Sequence, residues 1–205
     1  MGSTFDLAHL FAIRGSDKDR NGYSSLYAAL LTPLRRARVS VLEIGIGTMI
    51  PGANSSMKGY MSDAYRPGAS LRAWRDFFPL GDIHGMDVQP DCLFTEERIT
   101  THLCNSTDAA SCVTWRLAHP GLTFDVVIDD GSHWEQDQLA TLKNLFALVK
   151  PGGYYVIEDV VPNSLLSREP WKVQAIVGQV GIFFAGLKNN LCVIHKAPLI
   201  ACRVY

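Results

Sequence analysis

Apolar and polar positions follow one another along the chain in two kinds of block. Short apolar runs rich in β-branched residues read as buried strands, and stretches with an apolar residue every three to four positions read as amphipathic helices. Val39 to Ile44 is the first strong strand and ends directly before glycines. Asp82 to Val88 and Arg98 to Leu103 are less buried strands, Phe124 to Asp129 is the second strong one, and Gly153 to Glu158 the third. Between them, Leu71 to Phe78 sets Leu71, Trp74, Phe77 and Phe78 on one helical face and Arg72, Arg75 and Asp76 on the other. Trp134 to Val149 repeats Leu139, Leu142, Leu145, Phe146 and Val149 at helical spacing. Pro151-Gly152-Gly153 is expected to stop that helix and turn the chain into the next strand. A further helix is expected over Leu165 to Val180. Ile182 to Ala185 and Leu191 to Ile194 flank Lys188-Asn189-Asn190 and read as an antiparallel hairpin.

Strands alternating with helices predict an α/β fold: a mostly parallel, seven-stranded sheet, helices on both faces, and the hairpin at its end. Residues 1–38 are expected to form an N-terminal helical segment that folds over the site as a lid. The stretch from Thr48 to Ala69 fits neither period. It is rich in Gly, Ser, Pro, Met and Tyr, and a loop this long between strand and helix is expected to serve the site.

Composition narrows the class. With 205 residues, 47% of them hydrophobic, the chain is expected to be one domain with a substantial core. A net charge of -1 argues against a nucleic-acid partner. The N-terminus lacks a signal-peptide pattern and no window approaches the roughly 20 apolar residues of a membrane span. The five cysteines, Cys92, Cys104, Cys112, Cys192 and Cys202, show no Cys-x-x-Cys pair and fit reduced thiols, so a cytoplasmic location without membrane partners is expected. Cys104 and Cys112 are read as small buried hydrophobes, with pairing or metal binding as the alternative.

The chemistry sits at the carboxyl ends of the strands, where open α/β sheets bind ligands. Glu43-Ile44-Gly45-Ile46-Gly47 ends the first, and glycines there let backbone approach a ligand closely. A tight turn alone would give the same glycines. A dinucleotide fingerprint would require a third glycine at position 50, where Ile50 stands. Asp87 ends the next strand, where a carboxylate accepts both ribose hydroxyls of an adenosine; the competing reading is a turn cap. Asp129-Asp130-Gly131-Ser132-His133 follows the second strong strand, and Glu158-Asp159 closes the third. Adjacent parallel strands would bring Asp130, Glu158 and Asp159 together, and clustered carboxylates call for a hard cation such as Mg²⁺. His133, with an ordinary pKa near 6.5, suits a general base. Asp130 or Ser132 could equally cap the following helix. Asp129 is assigned with the cofactor-binding set of Glu43, Gly45, Gly47 and Asp87.

Taken together, Gly-Ser-Asp-Lys (15–18), Glu-Ile-Gly-Ile-Gly (43–47), Pro-Gly-Ala-Ser-Leu-Arg-Ala-Trp (67–74), Ile-Asp-Asp-Gly-Ser-His (128–133) and Ile-Glu-Asp (157–159) resemble the metal-dependent macrolide-sugar O-methyltransferases of the mycinamicin and macrocin type. The resemblance runs from about Ile13 to Lys196. It implies the Rossmann-like class I methyltransferase fold and S-adenosylmethionine as cofactor. It makes Asp130, Glu158 and Asp159 magnesium ligands and His133 the base, with Glu43, Gly45, Asp87 and Ser70 around the cofactor. Lys18, Tyr23 and Tyr27 match an N-terminal segment over the site, and Lys18 and Tyr23 are thereby counted with the cofactor-binding residues. The macrolide enzymes carry an additional N-terminal domain without a counterpart in these 205 residues, so neither their assembly nor their sugar specificity carries over.

The expected reaction is methyl transfer from the sulfonium to a hydroxyl of a small molecule, first of all a sugar or natural-product intermediate. Alignment does most of the work, a divalent metal lowers the pKa of the acceptor oxygen, and His133 takes its proton. Two rivals stand beside it: a non-catalytic S-adenosylmethionine-binding protein, and a hydroxylase-type enzyme, whose non-haem iron would want two histidines and one carboxylate. Oligomeric state, a homo-oligomer included, is left open.

Overall fold

A computed structural model describes residues 6–53, 56–162, 164, 168–177, 180–185 and 190–197. The elements run α1 (Leu7–Arg14), α2 (Ser24–Leu31), β1 (Ser40–Ile44), α3 (Ala69–Phe77), β2 (Asp82–Asp87), β3 (Thr95–Glu96), β4 (Ile99–Leu103), α4 (Ala109–Ala118), β5 (Phe124–Asp129), α5 (Glu135–Leu145), β6 (Val149–Val160), α6 (Pro170–Val177), β7 (Val180–Ala185) and β8 (Asn190–Lys196). Among the described residues the sheet has eight strands in the order β3-β4-β2-β1-β5-β6-β8-β7. β4, β2, β1, β5 and β6 are parallel neighbours, and the β7–β8 hairpin joins antiparallel to β6 through β8. The seven expected strands are present, and the eighth, β3, is a two-residue antiparallel edge on β4. No helix among them is long and apolar enough to cross a membrane.

Two apolar layers bury the sheet, as both faces of a parallel sheet require. On one, Phe11 of α1, Tyr27 and Leu31 of α2 and Trp74, Phe77 and Phe78 around α3 pack on Val41, Ile83, Val126, Ile128 and Val156. On the other, Trp115 of α4 and Leu142 and Leu145 of α5 pack on Leu42, Val127, Tyr155 and Ile157. The two-residue period therefore sends Glu43 to the face of Val41, and Glu158 to the face of Val156. Both carboxylates enter the α1–α2–α3 layer.

Boundaries differ from expectation where backbone geometry intervenes. α5 ends at Leu145 and passes through a 3-10 turn, Phe146–Leu148, straight into β6, so Pro151-Gly152-Gly153 lies inside the strand. There the ladder with β5 shifts register between Phe124 and Val126, a bulge that absorbs the proline and glycines. α4 was not foreseen: it buries only Cys112 and Trp115, too few apolar positions for a visible period, and Asp108 caps it by accepting from the Ala110 amide at 2.9 Å. Of the helix expected over Leu165 to Val180, Pro170–Val177 is observed; 165–167 and 178–179 lie outside the described residues.

Gly45 has the tightest backbone constraint at the site. It sits at φ 79° with its amide donating to the Met86 carbonyl at 2.8 Å, and a Cβ there would overlap the Asp130 carbonyl group. Gly152 has a similar φ of 81° and open space around it. Gly152→Ala is therefore expected to cost only the strain of the left-handed conformation, about 1 kcal/mol. Gly45→Ala adds a backbone clash and should exceed that by at least about 2 kcal/mol in urea unfolding. Equal losses would show that the approach of Asp130 imposes no constraint.

Candidate active site

The carboxyl ends of β1, β2, β4, β5 and β6 surround one cavity of about 1190 Å³. Its floor is the turn after β1, with Gly45, Ile46 and Gly47 along it. At the β2 side stand Asp87 and Gln89, then Asn105, Ser106 and Thr107 beyond β4; at the β5–β6 side stand Asp130, His133 and Asp159. Segments 48–53 and 56–68 of the long loop border the same cavity through Met57, Tyr60 and Tyr65. The Met57 amide donates to Thr48 O at 2.8 Å and the Gly68 amide to Ile46 O at 2.8 Å, which draws both ends of the loop over the glycine turn.

Asp87 holds that turn in place. Its Oδ2 accepts from the Ile46 amide at 2.9 Å and its Oδ1 from the Gln89 amide at 2.9 Å, and the Cys92 thiol bonds the same carboxylate. Glu43 is buried, and α3 meets it with residues one turn apart: Ser70 Oγ donates to Oε1 at 2.7 Å and Trp74 Nε1 to Oε2 at 2.6 Å. The sequence pattern had assigned Trp74 only to the apolar face; its indole satisfies both roles.

Between the two halves lies Lys18, 1% exposed. Its Nζ is 2.7 Å from Glu158 Oε2, 2.8 Å from Asp130 Oδ2 and 3.2 Å from Glu43 Oε1. Burial alone would lower its pKa, but the three carboxylates outweigh burial and hold the ammonium charged. Glu43 and Glu158 are both raised, chiefly by burial, with Lys18 opposing. Asp130 goes the other way: burial pushes it up, but Lys18 and His133 outweigh that and lower it.

Glu158 and Asp159 are split by a bulge. Pairing of β6 with β8 shifts between Ile157 and Val160, and Asp159 adopts φ 50°, a strained conformation for a non-glycine residue. Glu158 points inward, where Tyr27 donates to Oε1 at 2.5 Å and Lys18 to Oε2. Asp159 is turned to the cavity and held by Tyr23, whose hydroxyl donates to Oδ1 at 2.9 Å and accepts the Asp159 amide at 3.2 Å. His133 Nε2 lies 3.6 Å from Asp130 Oδ1 and 3.5 Å from Asp159 Oδ2, and the nearby Asp130 carboxylate, against burial, raises its pKa.

Asp130, His133 and Asp159 thus offer ligand atoms within 4.8 Å of one another. Two carboxylates of different strands around an otherwise anionic pocket fit a divalent cation, with His133 at its edge. Glu158, expected in the same ligand set, stands behind it on Lys18 and Tyr27. Asp129, expected around the cofactor, faces the opposite layer: Oδ1 accepts from the Gly131 amide and Oδ2 from Tyr155, both at 3.3 Å, and it does not border the cavity. Glu43, Gly45, Gly47, Ser70, Asp87, Lys18 and Asp130 do border it. Tyr23 reaches it through Asp159. Asn105, Ser106 and Thr107 were not foreseen; the polar run that follows a strand neighbouring β2 was the available signal.

No protein-family profile matches the chain. A tetracenomycin-C 3'-O-methyltransferase of Streptomyces olivaceus that acts on the 8-demethyl-8-(2-methoxy-alpha-L-rhamnosyl) form is 40% identical over 157 residues, 76% of this chain and 37% of that protein. Demethylmacrocin O-methyltransferase of Streptomyces fradiae is 41% identical over 126 residues, 62% of this chain and 28% of that protein. The structure of the MycE methyltransferase of mycinamycin biosynthesis, in complex with Mg, SAH and mycinamycin VI, superposes with a TM-score of 0.75 at 26% identity, covering 98% of this chain and 57% of that one. The chain is a homologue of these sugar O-methyltransferases and has the class I methyltransferase fold; it spans about a third of the length of the curated relatives it matches.

Two stability measurements follow from these contacts. Lys18→Met leaves three carboxylates without their cation and is expected to lower urea-unfolding stability by about 3–5 kcal/mol, with Glu158→Gln in the same chain restoring part of it. Asp129 is pushed from 3.8 to about 7, by burial above all. Between those pH values the unfolded chain has lost this proton and the folded chain keeps it, so its contribution to stability falls as pH rises. The stability of Asp129→Asn relative to the parent should therefore climb across that window, by at most about 1.4 kcal/mol per pH unit, and level off above it. A flat difference would remove Asp129 as a buried, proton-retaining acid.

Proposed function

We propose that this chain carries an S-adenosylmethionine-dependent, divalent-metal-assisted O-methyltransferase activity toward a hydroxyl of a small molecule, a sugar or natural-product intermediate. The observation that carries the proposal is the single cavity that joins Asp87 and the glycine turn at one end to Asp130, His133 and Asp159 at the other. The donor sets fit both groups. Asp87 presents a carboxylate to the cavity beside a glycine turn, where a ribose diol can donate to it, and Asp130 and Asp159 present carboxylate oxygens of the kind a hard cation takes.

When bound, the cofactor supplies an activated methyl group and the divalent cation a Lewis acid that lowers the pKa of the acceptor hydroxyl. The chain's own residues do the rest. Glu43, Ser70 and Asp87 hold the cofactor end along the Gly45–Gly47 turn, whose glycines let Asp130 and Tyr65 close in around it. Lys18 keeps Asp130 and Glu158 together despite their like charge. Tyr23 fixes the strained Asp159. His133, about half exposed beside Asp130 and Asp159, receives the acceptor's proton at Nε2 and passes it to water. Tyr60 and Tyr65 on the loop, with Trp134 after His133, flank the acceptor's path and exclude water from it.

The donor set disfavours a hydroxylase: the cluster has one histidine and two carboxylates, the reverse of a non-haem iron triad. A binding protein without catalysis would have no use for a histidine set beside both carboxylates. Calorimetry with S-adenosylhomocysteine is the first test, and absence of binding by the metal-loaded protein would sink the assignment. His133→Ala should bind S-adenosylhomocysteine with affinity within about twofold of the parent while losing at least about 100-fold in turnover with a glycosylated acceptor. Equal losses of binding and turnover would move His133 to the cofactor.

A further inference from the structure

Cys104 and Cys112 are buried in the α4–α5 layer and have no part in the proposed chemistry. Cys104 directly follows β4, borders the cavity and donates its amide to the Asp87 carbonyl at 3.0 Å. Cys112 lies in the first turns of α4. Their sulfurs are 3.9 Å apart, and Ser111 Oγ lies 3.5 Å from Cys104 Sγ. Cys112 Sγ also contacts the carbonyls of Asn105 at 3.6 Å and Ser106 at 3.4 Å. The Cys112 thiol, together with Ser111 Oγ, which accepts the Asn105 amide at 3.0 Å, holds the 104–107 turn to α4. Ser106 is tied further to α5, by Thr141 Oγ1 at 3.0 Å and by Asn144 Nδ2 on its carbonyl at 2.9 Å.

We propose that Cys104 and Cys112 form a reversible thiol–disulfide pair that remodels the 104–107 turn and so controls ligand affinity at the Asp87 end of the cavity. A disulfide requires sulfurs about 2.05 Å apart, so oxidation brings the two sulfurs roughly 2 Å closer, pulls on the turn and α4 that carry them, and removes the Cys112 thiol's contacts to both carbonyls. Asn105, Ser106 and Thr107 line the cavity, so that shift changes its wall beside Asp87. The consequence for affinity rests on reading this cavity as the S-adenosylmethionine site; the reaction of the thiols does not.

A hydroperoxide is the oxidant. The Cys104 sulfur attacks the peroxide, the O–O bond breaks, and Cys104 becomes a sulfenic acid as one molecule of water leaves (an alcohol from an organic peroxide). Cys112 then attacks that sulfur, the S–S bond forms and a second water departs. Two electrons have passed from the thiols to the peroxide, and a dithiol reverses the step by exchange. The environment assigns the roles. Cys112 and Ser111 beside Cys104, against burial, hold its thiol below the ordinary range, while the shared contact and burial raise Cys112. Cys92 and Cys192 are instead raised, chiefly by burial.

The test compares fully reduced protein with protein treated with equimolar hydrogen peroxide. Non-reducing peptide mapping is expected to recover a Cys104–Cys112 crosslink, and calorimetry a loss of S-adenosylhomocysteine affinity of about fivefold or more that dithiothreitol reverses. In Cys112→Ser, peroxide should leave a dimedone-reactive sulfenic acid on Cys104 and no crosslink. Absence of the crosslink in the parent protein overturns the pair, and a crosslinked protein with unchanged affinity overturns its control of the cavity. If the reduced protein binds no S-adenosylhomocysteine, the methyltransferase reading fails by itself. Amide exchange over residues 104–112 then decides the remodelling, and unchanged exchange on oxidation overturns it.

Discussion

The ammonium of Lys18 is surrounded by carboxylates from three strand ends, Glu43 of β1, Asp130 after β5 and Glu158 of β6, and almost no water reaches it. Three acids at such separations in a low-dielectric interior would repel strongly, and one buried lysine would shed its proton. Each makes the other affordable only in combination. The lysine belongs to the turn between α1 and α2, so the N-terminal segment is part of the architecture of the site as well as of the core. Lys18 also holds Asp130 below its ordinary range, so that a charged carboxylate stands at the open side of the pocket, where Asp130 and Asp159 face His133 and a divalent cation would be met.

Strand periodicity decides which acids join that cluster. Successive side chains alternate across the sheet, so Glu43 follows Val41, Glu158 follows Val156, and Asp129 follows Val127 to the other layer. Asp159 would follow Ile157 the same way, but the β6 bulge and its left-handed backbone turn it to the cavity. Two neighbouring acids at the end of one strand thereby acquire different surroundings: one supports Lys18 from within, the other borders the cavity beside Asp130 and His133. The strain at Asp159 is held by both hydrogen bonds of the Tyr23 hydroxyl.

Much of this was legible in the sequence. Apolar runs ending in acid or glycine located β1, β5 and β6, and with them the edge of the sheet where the cavity opens. Glu43, Asp87, Asp130 and His133 stood out because polar residues directly after buried strands have few structural reasons to be there. What escaped has physical causes. α4 buries too little to show a period, and the proline and glycines before Tyr154 sit in a bulge that a periodic pattern cannot express. Spacing along the chain places both Asp129 and Glu158 at the site, and only the alternation, the bulge and the reach of Lys18 show which way each side chain points. Lys18 and Tyr27 act across more than 100 positions of sequence, on Asp130 and Glu158, where local pattern has no purchase.

The loop after Gly47 leaves and returns through one narrow neck, because Gly68 donates to Ile46 O and Met57 to Thr48 O before α3 begins. Everything between can lengthen, shorten or change composition without moving β1 or α3, since closing a longer excursion adds little entropy cost. Glu43 and Asp87 belong to the frame and the Met57, Tyr60 and Tyr65 surface to the excursion. Evolution can therefore retool what such a fold accepts by swapping a cassette, while the machinery beneath it is inherited intact.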